Sequence, residues 1–245
     1  MNQVWLAAVV AAAILALAAC RREPPAVDDI ARMRQDMVDF VARYPAEHRV
    51  DDSRVLDALR KVPRHEFVPE RLRHLAYEDT PLDIGEGQTI SQPYMVGFMS
   101  QAAEAKPGDK VLEVGTGSGY QAAILAELGA QVYTVEIVEP LARRARETLQ
   151  RLGYAGVQVR AGDGYKGWPE QAPFDAVIVT CAPERIPQPL VDQLQEGGRL
   201  VIPLGPESSR QELLVARKSG QGLRETARMP VRFVPMTGTA QKPEL

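Results

Sequence analysis

The chain is poor in the residues that build metal centres and cross-links. Its 245 residues include two cysteines, Cys20 and Cys181, and three histidines, His48, His65 and His74. Two cysteines cannot form a disulfide framework, and without HExxH or clustered Cys/His spacing no zinc site or other metal is expected. Charge of one sign is missing too: 29 basic residues face 32 acidic ones, for a net charge of −3. Nucleic acid, which needs a clustered basic face, is therefore set aside as a partner. Nor is there a run of about 20 apolar residues, the length that spans a bilayer. The longest apolar stretch, Val4 to Ala19, has sixteen positions.

That stretch suits the hydrophobic region of a signal peptide. It ends in Leu17-Ala18-Ala19-Cys20, which resembles a bacterial lipobox with Cys20 as the lipidated residue. Met1-Asn2-Gln3 carries no basic residue, however, and Arg21-Arg22 lies on the far side, which favours retention in the cytoplasm. Translation from Met33 or Met37 would remove the segment altogether. The expectation is a cytoplasmic catalytic domain, with a periplasmic lipoprotein anchored at Cys20, its membrane tether in residues 4–20, as the alternative. Residues 1–27 are read as leader and tether.

The rest of the chain has an alternating rhythm. Residues 28–77 are charged and helical, with Val55, Leu56 and Leu59 on one stripe behind Asp52. From residue 110 short β runs alternate with helices. Lys110–Val114, Gln131–Val135, Val157–Arg160, Phe174–Thr180 and Arg199–Leu204 are the strands. Tyr120–Ala130 and Leu141–Gly153 form helices between them, with Gly129 and Gly153 as stops. Gln211–Arg217 and Val231–Val234 are expected to close the sheet as antiparallel edges. The pattern predicts an α/β domain: a doubly wound, Rossmann-like, mostly parallel sheet, preceded by an N-terminal helical segment. One domain over 28–245 is the simplest division, with 28–105 ahead of a sheet in 106–245. Its ligand should sit at the carboxyl ends of the strands.

The first strand runs into Glu113-Val114-Gly115-Thr116-Gly117-Ser118-Gly119-Tyr120. Glycines at 115, 117 and 119 let the backbone turn sharply and approach a ligand. A dinucleotide fingerprint would need a third glycine at 120, where Tyr120 stands, so a nicotinamide dehydrogenase is disfavoured. GxGxG instead suits S-adenosyl-L-methionine. Glu113, in the same motif, is counted among the cofactor residues. Glu136 ends the second strand, 21 residues past Gly115, where a carboxylate can accept both ribose hydroxyls. Asp163 could accept from the adenine amino group, and Gly164 could let the ring lie against backbone. An ordinary Asp-Gly turn explains that pair equally well.

Gly85 to Val96 (GEGQTISQPYMV) is the most distinctive stretch. With the glycine loop it resembles the protein-L-isoaspartate O-methyltransferases, class I methyltransferases that repair damaged proteins. The likeness runs from about Val50 onward. Its motifs are Val62-Pro63-Arg64 through Phe67-Val68, GQTISQPYMV, VLEVGTGSGYQAAILA, GDGYKGW, APFDAVIVTCAP, RLVIPLG and the final VRFVP. Gly97 and Cys181 stand where the family commonly has alanine, and the apolar leader is the larger departure.

The resemblance implies methyl transfer from S-adenosylmethionine to the α-carboxylate of L-isoaspartyl residues in damaged proteins or peptides. It implies Ser91 as the active-site residue and Gly115, Gly117, Gly119 and Glu136 as cofactor contacts. It also puts the C-terminal strand carrying Arg232 beside the peptide, although an edge-strand arginine would look the same. Gln88 and Thr89 are expected to shape the acceptor pocket with Ser91. Read without the family, Ser91 would cap the helix after Pro93. The acceptor carboxylate is already ionised at neutral pH, so no catalytic base is required. A small-molecule methyltransferase and a non-catalytic tethered binding module are the competing readings. Cys181 is expected to be a small core residue, His65 and His74 surface residues, and Arg143, Arg144 and Arg146 a solvated helix face. No coiled coil is present, and a monomer is expected.

Overall fold

The computed structural model describes residues 27–45 and 48–238. The readings of residues 4–20 and of Cys20 lie outside them. Helices α1 (Val27–Ala42), α2 (Ser53–Lys61) and α3 (Pro93–Ala102) make up the N-terminal segment. Asp52 starts α2 by accepting from the Arg54 amide at 2.9 Å, and Val55 and Leu59 are buried on the expected stripe. Short 3-10 turns at Arg64–Phe67 and Glu70–Leu75 come next. A small hairpin of β1 (Leu82–Gly85) and β2 (Gln88–Ile90) then leads into α3.

The main sheet contains β3 (Lys110–Val114), β4 (Gln131–Glu136), β5 (Gln158–Ala161), β6 (Phe174–Val179), β7 (Leu194–Leu204), β8 (Gln211–Ser219) and β9 (Gly222–Val231). Their order is β5-β4-β3-β6-β7-β8-β9; the first five are parallel and the last two antiparallel. Helices α4 (Tyr120–Glu127), α5 (Glu139–Arg151) and α6 (Gln188–Asp192) connect them. This is the doubly wound sheet that the alternating rhythm predicts. Its central strands are covered on both sides, which is why they read as continuous apolar runs rather than alternating ones. Val111, Ala176 and Ile178 enter a core shared with α3 and α4. Leu112, Val114, Val177 and Val179 enter a second core on the other face.

Two strands differ from expectation. β7 begins at Leu194 rather than Arg199, through a pairing irregularity between Phe174 and Ala176. The last strand is Gly222–Val231, not Val231–Val234. It is the sheet edge and exposed along most of its length, so it carries charge where a buried strand would carry an apolar pattern. Residues 232–236 instead cross the strand ends. The Ala182 amide donates to the Val234 carbonyl, and the Met236 amide to the Ala182 carbonyl, both at 2.8 Å. His65 and His74 are half-buried rather than at the surface; His65 Nδ1 lies 2.7 Å from the Tyr77 hydroxyl. Arg144 donates to the Ile84 carbonyl at 3.0 Å, tying α5 to the small hairpin instead of facing only solvent. Among the described residues, no helix is long and apolar enough to cross a membrane.

The chain runs outward from β3 to β4 and β5, then returns to β6 on the other side of β3. At such a reversal the connections diverge and leave a crevice at the carboxyl ends of the strands. Both candidate cavities lie there.

Candidate active site

The first cavity opens above β3 and β4. The loop between β3 and α4 forms its floor. Gly115 has φ +98°, and a side chain there would collide with the Thr180 hydroxyl. That hydroxyl donates to the Gly115 carbonyl at 2.6 Å and also lies 3.1 Å from the Val114 carbonyl. Thr116 turns inward and pairs with the Thr134 hydroxyl at 2.6 Å. The loop is thus pinned from β6 and from β4 and does not rest on glycine flexibility alone.

Glu136 stands in the wall. Its Oε2 accepts from the Gly117 amide at 2.8 Å and its Oε1 from the Val138 amide at 2.9 Å. Each carboxylate oxygen has further lone pairs, so two held oxygens face the crevice as a vicinal diol would require. Ile137 beside it is exposed although apolar, and it too lines the crevice. Gly164 lies in the same wall, packed so closely on Val114 that only hydrogen fits. An acid for a sugar, an apolar side chain and bare backbone for a flat base: the residues present fit an adenosyl group.

The other expected donor residues are not among those lining this cavity. Gly119 (φ +89°) lets α4 start against Leu149 and Ala145 of α5. Asp163 accepts from the Tyr165 amide at 3.0 Å and starts a short 3-10 turn. Glu113 is fully buried beneath the loop, near the Thr134 side chain, and is not among the residues that line the crevice. Burial, with Glu136 adding repulsion, pushes its carboxyl up to about 8. Cys181 lines the crevice rather than serving only as core, and burial beside Glu136 pushes its thiol up to about 12, far from thiolate.

The second cavity holds Thr89, Ser91 and Arg232 together. Gln88 is separated from them and lines the first cavity. Ser91 does not cap α3. The capping position is occupied by Gln92, whose side chain makes no such bond. Asp79 caps the helix from outside it, accepting from the Tyr94 amide at 2.7 Å and from Gln92 Nε2 at 3.1 Å. Ser91 is left half-buried in the cavity wall. Arg232 lies exposed at the start of the strap formed by 232–236, and Tyr44 and His48 of the N-terminal segment complete the far side. Thr180 and Val234 line both cavities, which therefore lie side by side. Asp79 and Thr180 carried no sequence signal as single residues. Thr180 could have been found only from the strand-end rule, which points to the residue following β6.

The characteristic pattern of the protein-L-isoaspartate(D-aspartate) O-methyltransferase (PCMT) family matches residues 36–241. The chain belongs to this family. A protein-L-isoaspartate O-methyltransferase of Gloeobacter violaceus is 59% identical over 195 residues, 80% of this chain and 94% of that protein. One from Methanoculleus marisnigri is 51% identical over 212 residues, 86% and 94% of the two chains. Among solved structures, a protein-L-isoaspartate O-methyltransferase gives a TM-score of 0.74 at 30% identity, covering 84% of this chain and 66% of that one. A putative member from Plasmodium falciparum, in complex with S-adenosyl-L-homocysteine, gives 0.69 at 25% identity, covering 85% and 98%. This methyltransferase thus shares its family's fold and its S-adenosylmethionine chemistry.

Proposed function

We propose that this repair methyltransferase uses the first cavity for S-adenosyl-L-methionine and the second for the L-isoaspartyl residue of a damaged protein or peptide. The single observation that carries the reading is that Thr180 and Val234 line both cavities, which puts them side by side. When bound, S-adenosylmethionine supplies an electrophilic methyl group on a sulfonium. Glu136 would hold the ribose hydroxyls, Gly115 and Gly117 the close approach of backbone, and Ile137 and Gly164 the adenine. Gln88 reaches this side from the hairpin, so its role is to close over the donor rather than to shape the acceptor pocket.

In the second cavity the Ser91 hydroxyl donates to the acceptor carboxylate and aims one oxygen toward the seam. Thr89 and Arg232 border the peptide. No side chain removes a proton from an acceptor that is already ionised, and Cys181, held neutral, takes no part as a nucleophile. What the protein contributes is order: two reactants aligned in a water-poor seam, an effect worth about 7–11 kcal/mol of barrier in favourable cases. Glu113 supports the loop from below rather than touching the donor.

Residues 28–245 act as one catalytic domain, which functions as a monomer in the cytoplasm, where its donor is made. Accumulation of an uncleaved precursor when lipoprotein processing is blocked would instead place it at the membrane through Cys20. The central test is transfer of labelled methyl to an isoaspartyl peptide and to its aspartyl twin. Label is expected in the first alone; equal labelling of both would overturn the repair assignment.

A further inference from the structure

Ser91 sits on a short link between β2, which ends at Ile90, and α3, which starts at Pro93. A link of two residues is held only as firmly as its ends. The upstream end is held by the hairpin, where Ile90 pairs with Leu82. The downstream end is a helix start whose own capping residue makes no side-chain bond, a position where free amides normally need a partner. That partner comes from twelve residues ahead of Ser91. One oxygen of Asp79 accepts from the Tyr94 amide and the other from the Gln92 side chain, so a single carboxylate grips the residue next to Ser91 and the first turn of α3.

Asp79 is itself backed from the interior. Arg64 is fully buried, near enough to attract the Asp79 carboxylate, and donates through Nε to the Ala76 carbonyl at 2.8 Å. Its guanidinium lies 4.8 Å above the ring of Tyr120, the first residue of α4 after the glycine loop. The grip on the Ser91 link and the helix that anchors the donor loop therefore share one buried cation.

We propose that Asp79 is a positioning residue for methyl transfer: by capping α3 and holding Gln92 it sets where the Ser91 hydroxyl points in the acceptor cavity. The proposal rests on the assignment of Ser91 to the acceptor carboxylate. Its test is a double-mutant cycle in the full-length enzyme, with steady-state methylation of an isoaspartyl peptide and S-adenosylhomocysteine affinity by calorimetry as readouts. Asp79→Ala should lower kcat/KM for the peptide by about 10-fold, no more than loss of the Ser91 hydroxyl that it positions, with S-adenosylhomocysteine affinity unchanged. In a Ser91→Ala background the same substitution should cost almost nothing more, because the group it positions is gone.

An equal loss in both backgrounds would overturn the proposal, and so would a parallel loss of S-adenosylhomocysteine affinity. A Ser91→Ala enzyme with full transfer would instead sink the assignment of Ser91, a separate result visible in one corner of the cycle. If Asp79→Ala does not fold, Asp79→Asn closes the same cycle. Asparagine keeps an acceptor for the Tyr94 amide, so a loss of about threefold is expected, again absent when Ser91 is alanine; a loss that persists there overturns the proposal.

Discussion

The two cavities are built in different ways. The donor crevice is made largely from one continuous stretch, strand to loop to helix to strand, and backbone does most of the holding: amides of Gly117 and Val138 fix Glu136, and carbonyls of Val114 and Gly115 receive Thr180. The acceptor cavity is gathered from distant segments: Tyr44 and His48, Thr89 to Met95, Thr180, Glu207 and the strap after β9. A site made of backbone tolerates little change at its glycines but much in its side chains. A site made of scattered side chains does the reverse.

The largest effect expected from this contrast is at Gly115. Gly115→Ala forces a side chain into left-handed backbone and against the Thr180 hydroxyl. S-adenosylhomocysteine affinity should fall by about 100-fold or more, since each such strain costs on the order of 1–3 kcal/mol before the clash is added. Calorimetry that finds near-normal affinity would break the picture of a backbone-defined crevice. Next is Ser91→Ala, expected to lower peptide kcat by roughly 10-fold, as loss of one charge-assisted hydrogen bond would, while S-adenosylhomocysteine binds as before. A matching fall in donor affinity would mean that the two halves are not separable.

A third outcome concerns stability rather than turnover. The buried Glu113 carboxyl, raised to about 8, keeps its proton in the folded chain where the unfolded chain has released it. Its contribution is therefore complete below about pH 4.5 and is lost as pH rises through about 8. Glu113→Gln lacks that dependence, so its melting temperature should gain on the parent's between pH 5 and pH 8. Parallel melting curves across that window would show that Glu113 does not titrate there. The smallest effect is expected at Arg232, where alanine should raise peptide KM by about two- to threefold and less at high salt.

The same contrast explains what could be read from sequence. The loop and wall of the first cavity were legible because their determinants are contiguous: three glycines after a buried strand, and an acid at the end of the next one. The fold was legible for a similar reason, since strands covered on both faces carry unbroken apolar runs. β9 was not, because an edge strand has no buried face to imprint a period-two pattern on Arg224, Glu225 and Arg228. VRFV looks like a strand because it is apolar, yet only Val231 belongs to one, while Phe233 and Val234 line a cavity beyond the sheet. Asp79 could not be recognised either, since a carboxylate that caps a helix 15 residues downstream leaves no local spacing to detect. Gln88 and Ser91 lie three residues apart but line different cavities, a separation that only the hairpin's geometry reveals.

The shared boundary at Thr180 and Val234 has a practical corollary for ligand design. Because the same two residues line both cavities, an adenosyl unit joined by a short linker to a β-linked aspartyl peptide is expected to engage both compartments at once. Its second contact would form at the high local concentration that tethering provides, so such a conjugate should outbind either fragment by far more than their mixture does.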